Sequence, residues 1–206
     1  MVSGMAVVLV LVAWLVSSDP FLPARAAPRP PDNGTRPVAT EPTRSPTSAE
    51  IVEFATTADA YVFAARPDAN YGDSTKLRVD GDPEMVSYLR FSVSGIRGQV
   101  LAVSLRVYAL SRVNQGFSVR TTTADWGESG VAYESRPTDG EVVGRSGPIP
   151  GTSWVTVTLL PVVSGDGEYS FVLSTISTTA LAMASREAGV ELAPTLIVEV
   201  AAASAN

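Results

Sequence analysis

The sequence predicts an all-β protein, a jelly-roll-like antiparallel β-sandwich built as a single domain. Three observations carry this. From Ile51 to Val200 the chain is a series of short β-rich runs with period-two or fully apolar patterning. Between the runs stand turn residues, at Asp80-Gly81-Asp82-Pro83, Ser94-Gly95, Asn114-Gln115-Gly116 and Gly165-Asp166-Gly167. No stretch in this region carries the 3.6-residue period of an amphipathic helix.

Taken in order, the runs are Met85–Phe91, Val100–Ala109, Phe117–Thr121, Trp154–Leu159, Tyr169–Leu173 and Leu196–Val200. In Val100–Ala109 the alternation sets Leu101, Val103, Leu105 and Val107 on one face and Arg106 and Tyr108 on the other. About ten to twelve strands in such a length suggest two packed antiparallel sheets around one core.

Composition narrows the chemistry. The 206 residues hold no His and no Cys. That removes Ser-His-Asp and Cys-His nucleophiles, thiolate zinc sites and disulfides, and no enzyme is expected. Carboxylates such as Asp125 and Glu128 could in principle serve as a glycosidase pair. Acidic residues are so frequent here that the pair carries no weight. Net charge is −6, from 15 Lys+Arg against 21 Asp+Glu, and Lys76 is the single lysine. An acidic chain lacks the basic face that nucleic acid requires, so no nucleic-acid partner is expected.

Residues 1–26 read as a secretory signal. Met5–Val16 is an unbroken apolar run of about 12 residues, short of the roughly 20 that span a bilayer, and Ala24-Arg25-Ala26 is a small-residue cleavage site. No Lys or Arg precedes the run, which leaves retention as an uncleaved anchor open. The expectation is a secreted, extracellular or cell-surface protein with no stable membrane span after processing. Residues 27–50 are rich in Pro and Thr and read as an extended disordered linker. Residues 51–206 form the sandwich domain.

Several stretches together resemble a known family. Ala58-Asp59-Ala60-Tyr61-Val62, Asn70-Tyr71-Gly72 leading into Leu77-Arg78-Val79-Asp80-Gly81, and Ser87-Tyr88-Leu89-Arg90-Phe91 resemble the opening of the DNRLRE domain, a group classed with carbohydrate-binding module family 96. Leu105-Arg106-Val107-Tyr108, Asp125-Trp126-Gly127-Glu128, Gly165-Asp166-Gly167-Glu168-Tyr169 and Ser185-Arg186-Glu187-Ala188-Gly189 follow in the family's order, so the resemblance runs from about Thr56 to Val200. It implies a jelly-roll, non-catalytic, carbohydrate-binding module that in some members takes acidic polysaccharides such as alginate. The chain departs from the pattern at Val131–Pro137, where an aromatic of the family is replaced, and it carries no catalytic partner domain. The alternative to glycan binding is a structural or adhesive cell-envelope sandwich that contacts proteins.

Independently of family, the triplet Leu-Arg-apolar occurs three times, at Leu77-Arg78-Val79, Leu89-Arg90-Phe91 and Leu105-Arg106-Val107. If these strands are neighbours, Lys76, Arg78, Tyr88, Arg90, Arg106 and Tyr108 form one surface of cations and tyrosines suited to an anionic polysaccharide. The plain alternative is that each Arg pairs with a carboxylate, with Arg90, Arg106 and Arg186 matched by Glu187 or Asp80. Trp154 opens a strand and reads as core or sheet packing, and Trp126 reads as structural packing in a loop. Asp59 is the one metal-ligand candidate, for a structural calcium; against it stands a turn or capping aspartate.

Overall fold

The computed structural model describes residues 49–202. The apolar run, the Ala24-Arg25-Ala26 site and residues 27–48 of the expected linker lie outside the described residues. Ten strands follow in order: β1 (Ala49–Phe63), β2 (Lys76–Gly81), β3 (Glu84–Val93), β4 (Val100–Ala109), β5 (Ser118–Thr122), β6 (Val142–Arg145), β7 (Ser153–Leu159), β8 (Gly167–Ser174), β9 (Leu181–Ala184) and β10 (Thr195–Ala201). Among the described residues one 3-10 turn, Arg186–Ala188, precedes β10. Every strand pairing is antiparallel.

The strands form two layers. In the first, β4 is flanked on one side by β7 and on the other by β10 and then β9, which follow one another along it. Beyond them lie the first half of β1, on β10, and the start of β2, on β9. The second layer runs β6-β5-β8-β3 and ends on the second half of β1.

Two strands belong to both layers. β1 pairs with β10 through Ala55, passes an irregularity between Thr56 and Ala58, and continues on β3. A bulge is how a strand bends to change sheets. β2 leaves β9 after Val79 and joins β3 at Asp80 and Gly81. Its backbone is kept satisfied by Ser87, whose hydroxyl accepts from the Arg78 N–H (3.0 Å) and donates to the Arg78 carbonyl (2.7 Å).

The inner faces interdigitate as the alternation requires. Leu77 and Val79, Leu89 and Phe91, Val103, Leu105 and Val107, Phe171 and Leu173, and Leu196 and Val198 are buried in one core between the layers. Leu101, expected on this inward face, is 47% exposed, because the register shifts between Glu199 and Val200, which leaves Leu101 out of the pairing and sets Val100 against the core instead. A second, smaller core covers the outer face of the second layer. Ala58, Ala60, Val62, Val86, Tyr88 and Val172 meet Trp126 and Val131 there, carried by the long connection from β5 to β6. Asn70 fastens that connection, its side-chain amide donating to the carbonyls of Glu128 and Val131, both at 2.7 Å. Gly72 next to it leaves room: a Cβ there would stand 2.3 Å from the Glu128 carbonyl oxygen.

Candidate functional site

All three triplets place Leu and Val or Phe in the core and Arg on an outer face, but not on the same face. β2 and β4 carry Lys76, Arg78, Arg106 and Tyr108 on the outside of the first layer. β9 lies between them, with Met183 opposite both Leu77 and Ala109. Its small residues Ala182 and Ala184, opposite Arg78 and Lys76, keep the interval low. β3 carries Tyr88 and Arg90 on the outside of the second layer instead. The single surface expected from the sequence therefore does not form; four of its six residues share a face and two do not.

On the first-layer face the central feature is Trp154, expected from its sequence position to pack in the core or on the sheet. Trp154 pairs in register with Tyr108 and is 42% exposed. The burial of Val157 and Leu159, with Val155 packed against the same core, fixes this, since alternation then turns Trp154, Thr156 and Thr158 outward. The Tyr108 and Trp154 rings meet edge to face at 5.2 Å. The Arg106 guanidinium lies over the Trp154 ring, 5.0 Å from its centroid, and Arg106 Nη2 donates to Glu53 Oε2 at 2.9 Å. Arg106 Nε is buried without a partner. An open groove of about 540 Å³ runs beside the tryptophan, lined among others by Trp154, Thr156, Thr158, Arg145, Pro148 and Pro150. Near Arg78, on the second half of β1, Tyr61 stacks on Tyr71 at 4.2 Å. Burial raises the Tyr61 hydroxyl pKa, and the nearby Arg78 charge offsets part of that rise.

The second-layer face is closed. Tyr88 is fully buried, and its hydroxyl donates to the Pro137 carbonyl at 3.2 Å. Burial pushes that hydroxyl's pKa well up. Arg90 Nη1 donates to the carbonyls of Trp126 (2.8 Å) and Ala124 (3.3 Å), and its guanidinium lies 5.3 Å from the Trp126 ring. Trp126 packs as expected: it is 8% exposed, and its Nε1 donates to Ser170 Oγ at 3.2 Å. Arg90 thus has backbone carbonyls where a carboxylate was expected, and Arg106 has Glu53 rather than Asp80 or Glu187. Arg186 does pair with Glu187 (3.0 Å) and also forks onto both oxygens of Glu128 (2.8 and 2.6 Å).

Asp59 lies in the middle of β1, fully buried, and not in a turn. One oxygen from each of Asp59, Glu128 and Glu187 lies within 4.8 Å of the others, the one such cluster among the described residues. Asp59 Oδ2 accepts the Arg186 backbone N–H (2.9 Å), and the Asp59 N–H donates to Glu128 Oε1 (2.8 Å). Burial, with the charge of Glu187, a side-chain hydrogen bond to Glu187 and the charge of Glu128 added, pushes the Asp59 carboxyl up to about 8 against the Arg186 N–H. Burial works against Glu128 too, but the Arg186 hydrogen bonds and the Asp59 N–H hold it below the usual range. Glu128 and Glu187 were not singled out as ligands from the sequence, because only the fold brings residues 59, 128 and 187 together.

A two-layer antiparallel sandwich with one outer face left open and set with aromatic rings is a recognition module of the jelly-roll type. Its family follows directly: residues 50–200 match the model of carbohydrate-binding module family 96, and the chain belongs to that family. No curated protein matches the chain. A solved β-1,3-glucan binding CBM6 from Bacillus halodurans is similar at 15% identity and a TM-score of 0.28, over 69% of this chain and 95% of that one. No helix among the described residues is long and apolar enough to cross a membrane.

Proposed function

We propose that the protein is a secreted, non-catalytic module that binds an acidic polysaccharide on the outer face of its first layer. The observation that carries the reading is Trp154, an open indole flanked by Tyr108 and Arg106 on a sheet face. A sugar ring presents axial C–H groups that pack on an aromatic face, and the indole is the largest such surface here. Arg106 at its side, with Lys76 and Arg78 further along the face, supplies forked or point donors for carboxylates. The hydroxyls of Thr156 and Thr158 along the groove can bond sugar hydroxyls.

Affinity electrophoresis of the full chain tests this. Gels containing a polyuronate should retard it more than gels containing a neutral glucan. The retardation should weaken as salt rises, since exposed charges are screened over about 8 Å at physiological ionic strength. Equal mobility in both gels at low salt would remove the acidic specificity; retention by neither would remove the glycan reading in favour of protein adhesion. Export rests on Met5–Val16 and Ala24-Arg25-Ala26. Mass spectrometry of the exported protein should find a mature terminus near Ala27, and an intact terminus in the membrane fraction would contradict it.

A further inference from the structure

Two carboxylate oxygens in the cluster beside β1 are left without a donor when both groups are ionised. Asp59 Oδ1 and Glu187 Oε2 are both buried, and neither meets a donor. A buried carboxylate oxygen left without a partner destabilises the fold, so a partner is expected there. Arg186 cannot be that partner through the groups it has already used, since its Nε and Nη2 are bonded to Glu128 and to Glu187 Oε1. Charge gives the same answer. Three carboxylates face the bonded Arg186 guanidinium, and Arg90 adds its charge toward Glu128, so negative charge still exceeds positive when all are ionised.

We propose that Asp59 and Glu187, with Glu128 beside them, bind a Ca²⁺ ion that ties β1 to the turn ahead of β10. The spacing suits it. Two oxygens on one Ca²⁺, each at about 2.3–2.6 Å, stand no more than about 5 Å apart, and here one oxygen from each residue lies within 4.8 Å of the others. The donors are hard oxygens, with no imidazole or thiolate, which selects against zinc and copper. Remaining positions in a shell of about six to eight oxygens are open to water and backbone carbonyls. The three residues lie in segments far apart in sequence. The ion is therefore a cross-link in a chain that has no cysteine for a disulfide.

The test uses the full chain, stripped with a chelator and then titrated with CaCl₂ at pH 7.5. Thermal unfolding should shift upward by about 5 °C or more at saturation, and calorimetry should count one ion per chain. Asp59→Asn and Glu187→Gln should each lose more than half of that shift. Glu187 lies on an outer turn, so its variant reports even where Asp59→Asn does not fold. No calcium-dependent shift in the unaltered chain, as expected if Asp59 and Glu187 merely share a proton, overturns the proposal. So does a shift that stays above half in Glu187→Gln. Neither readout involves glycan, so failure here leaves the carbohydrate reading standing.

Discussion

Arg90 and Arg106 occupy the same position of the same triplet, yet one lies beneath a loop and the other beside open solvent. The difference is made by what comes after each strand in space, not by the strands. The connection from β5 to β6 folds back over the outer face of the second layer and supplies Trp126, the carbonyls that hold Arg90, and a lid for Tyr88. Nothing among the described residues covers Trp154 and Tyr108 in this way. An outward arginine on a sheet is therefore a candidate for ligand binding only where its face stays uncovered. A tryptophan likewise takes its setting from the same fact: Trp126 is covered and Trp154 is open.

The two tryptophans give the largest contrast. Trp126→Ala should destabilise the fold by roughly 3–5 kcal/mol, as for other buried large-to-small changes, read from the denaturant midpoint. Glycan affinity of the protein that remains folded should be unchanged. Trp154→Ala should do the reverse, with affinity falling about tenfold or more and stability changing by about 1 kcal/mol at most. Loss of affinity in both variants would break the distinction between the faces.

The arginines sharpen it at smaller scale. Arg90→Ala removes two hydrogen bonds from Nη1 to part-buried carbonyls and should cost about 1–3 kcal/mol of stability with little effect on binding. Arg106→Ala should weaken binding to an acidic glycan and flatten its salt dependence. Its partly exposed pair with Glu53 contributes under about 1 kcal/mol to the fold. Glu53→Gln should then strengthen that binding by freeing the guanidinium, measured in the same electrophoresis. If Arg106→Ala loses stability and keeps its affinity, the pair is structural after all.

The smallest effect lies away from both faces. Asp166 is exposed, and its carboxyl is held below the usual range by the backbone N–H groups of Gly95 (3.0 Å) and Ile96 (2.8 Å). The folded value is lower than the unfolded one. Its contribution is therefore complete above a pH of about 4 and is lost as pH falls through the folded value. Asp166→Asn should be slightly less stable than the unaltered chain at pH 6, and the gap in melting temperature should close toward pH 3.

Much of this was legible in the residues. The alternation in Val100–Ala109 and in the Trp154 run fixed which side chains turn inward, and the structure keeps both patterns apart from Leu101. The same alternation already turned Trp154 outward through Val155, Val157 and Leu159, a signal outweighed by the usual burial of tryptophan. Register between strands was not legible, and it decided the site. No local pattern states that β3 lies in one layer while β2 and β4 meet through β9 in the other. β9 itself is a run of four residues, Leu181–Ala184, too short to announce its period. The carboxylate cluster was hidden for the same reason. Its members sit in Ala58-Asp59-Ala60, Asp125-Trp126-Gly127-Glu128 and Ser185-Arg186-Glu187, three separate stretches joined only by long-range contacts.

The central claim is that sugar meets the open face and not the covered one, and the two indole N–H groups report on this directly. In a ¹⁵N-labelled sample titrated with an acidic oligosaccharide, the Trp154 indole resonance should move progressively to saturation while that of Trp126, tied to Ser170, stays in place. A shift confined to Trp126, or saturation by the oligosaccharide with Trp154 unmoved, would contradict the account.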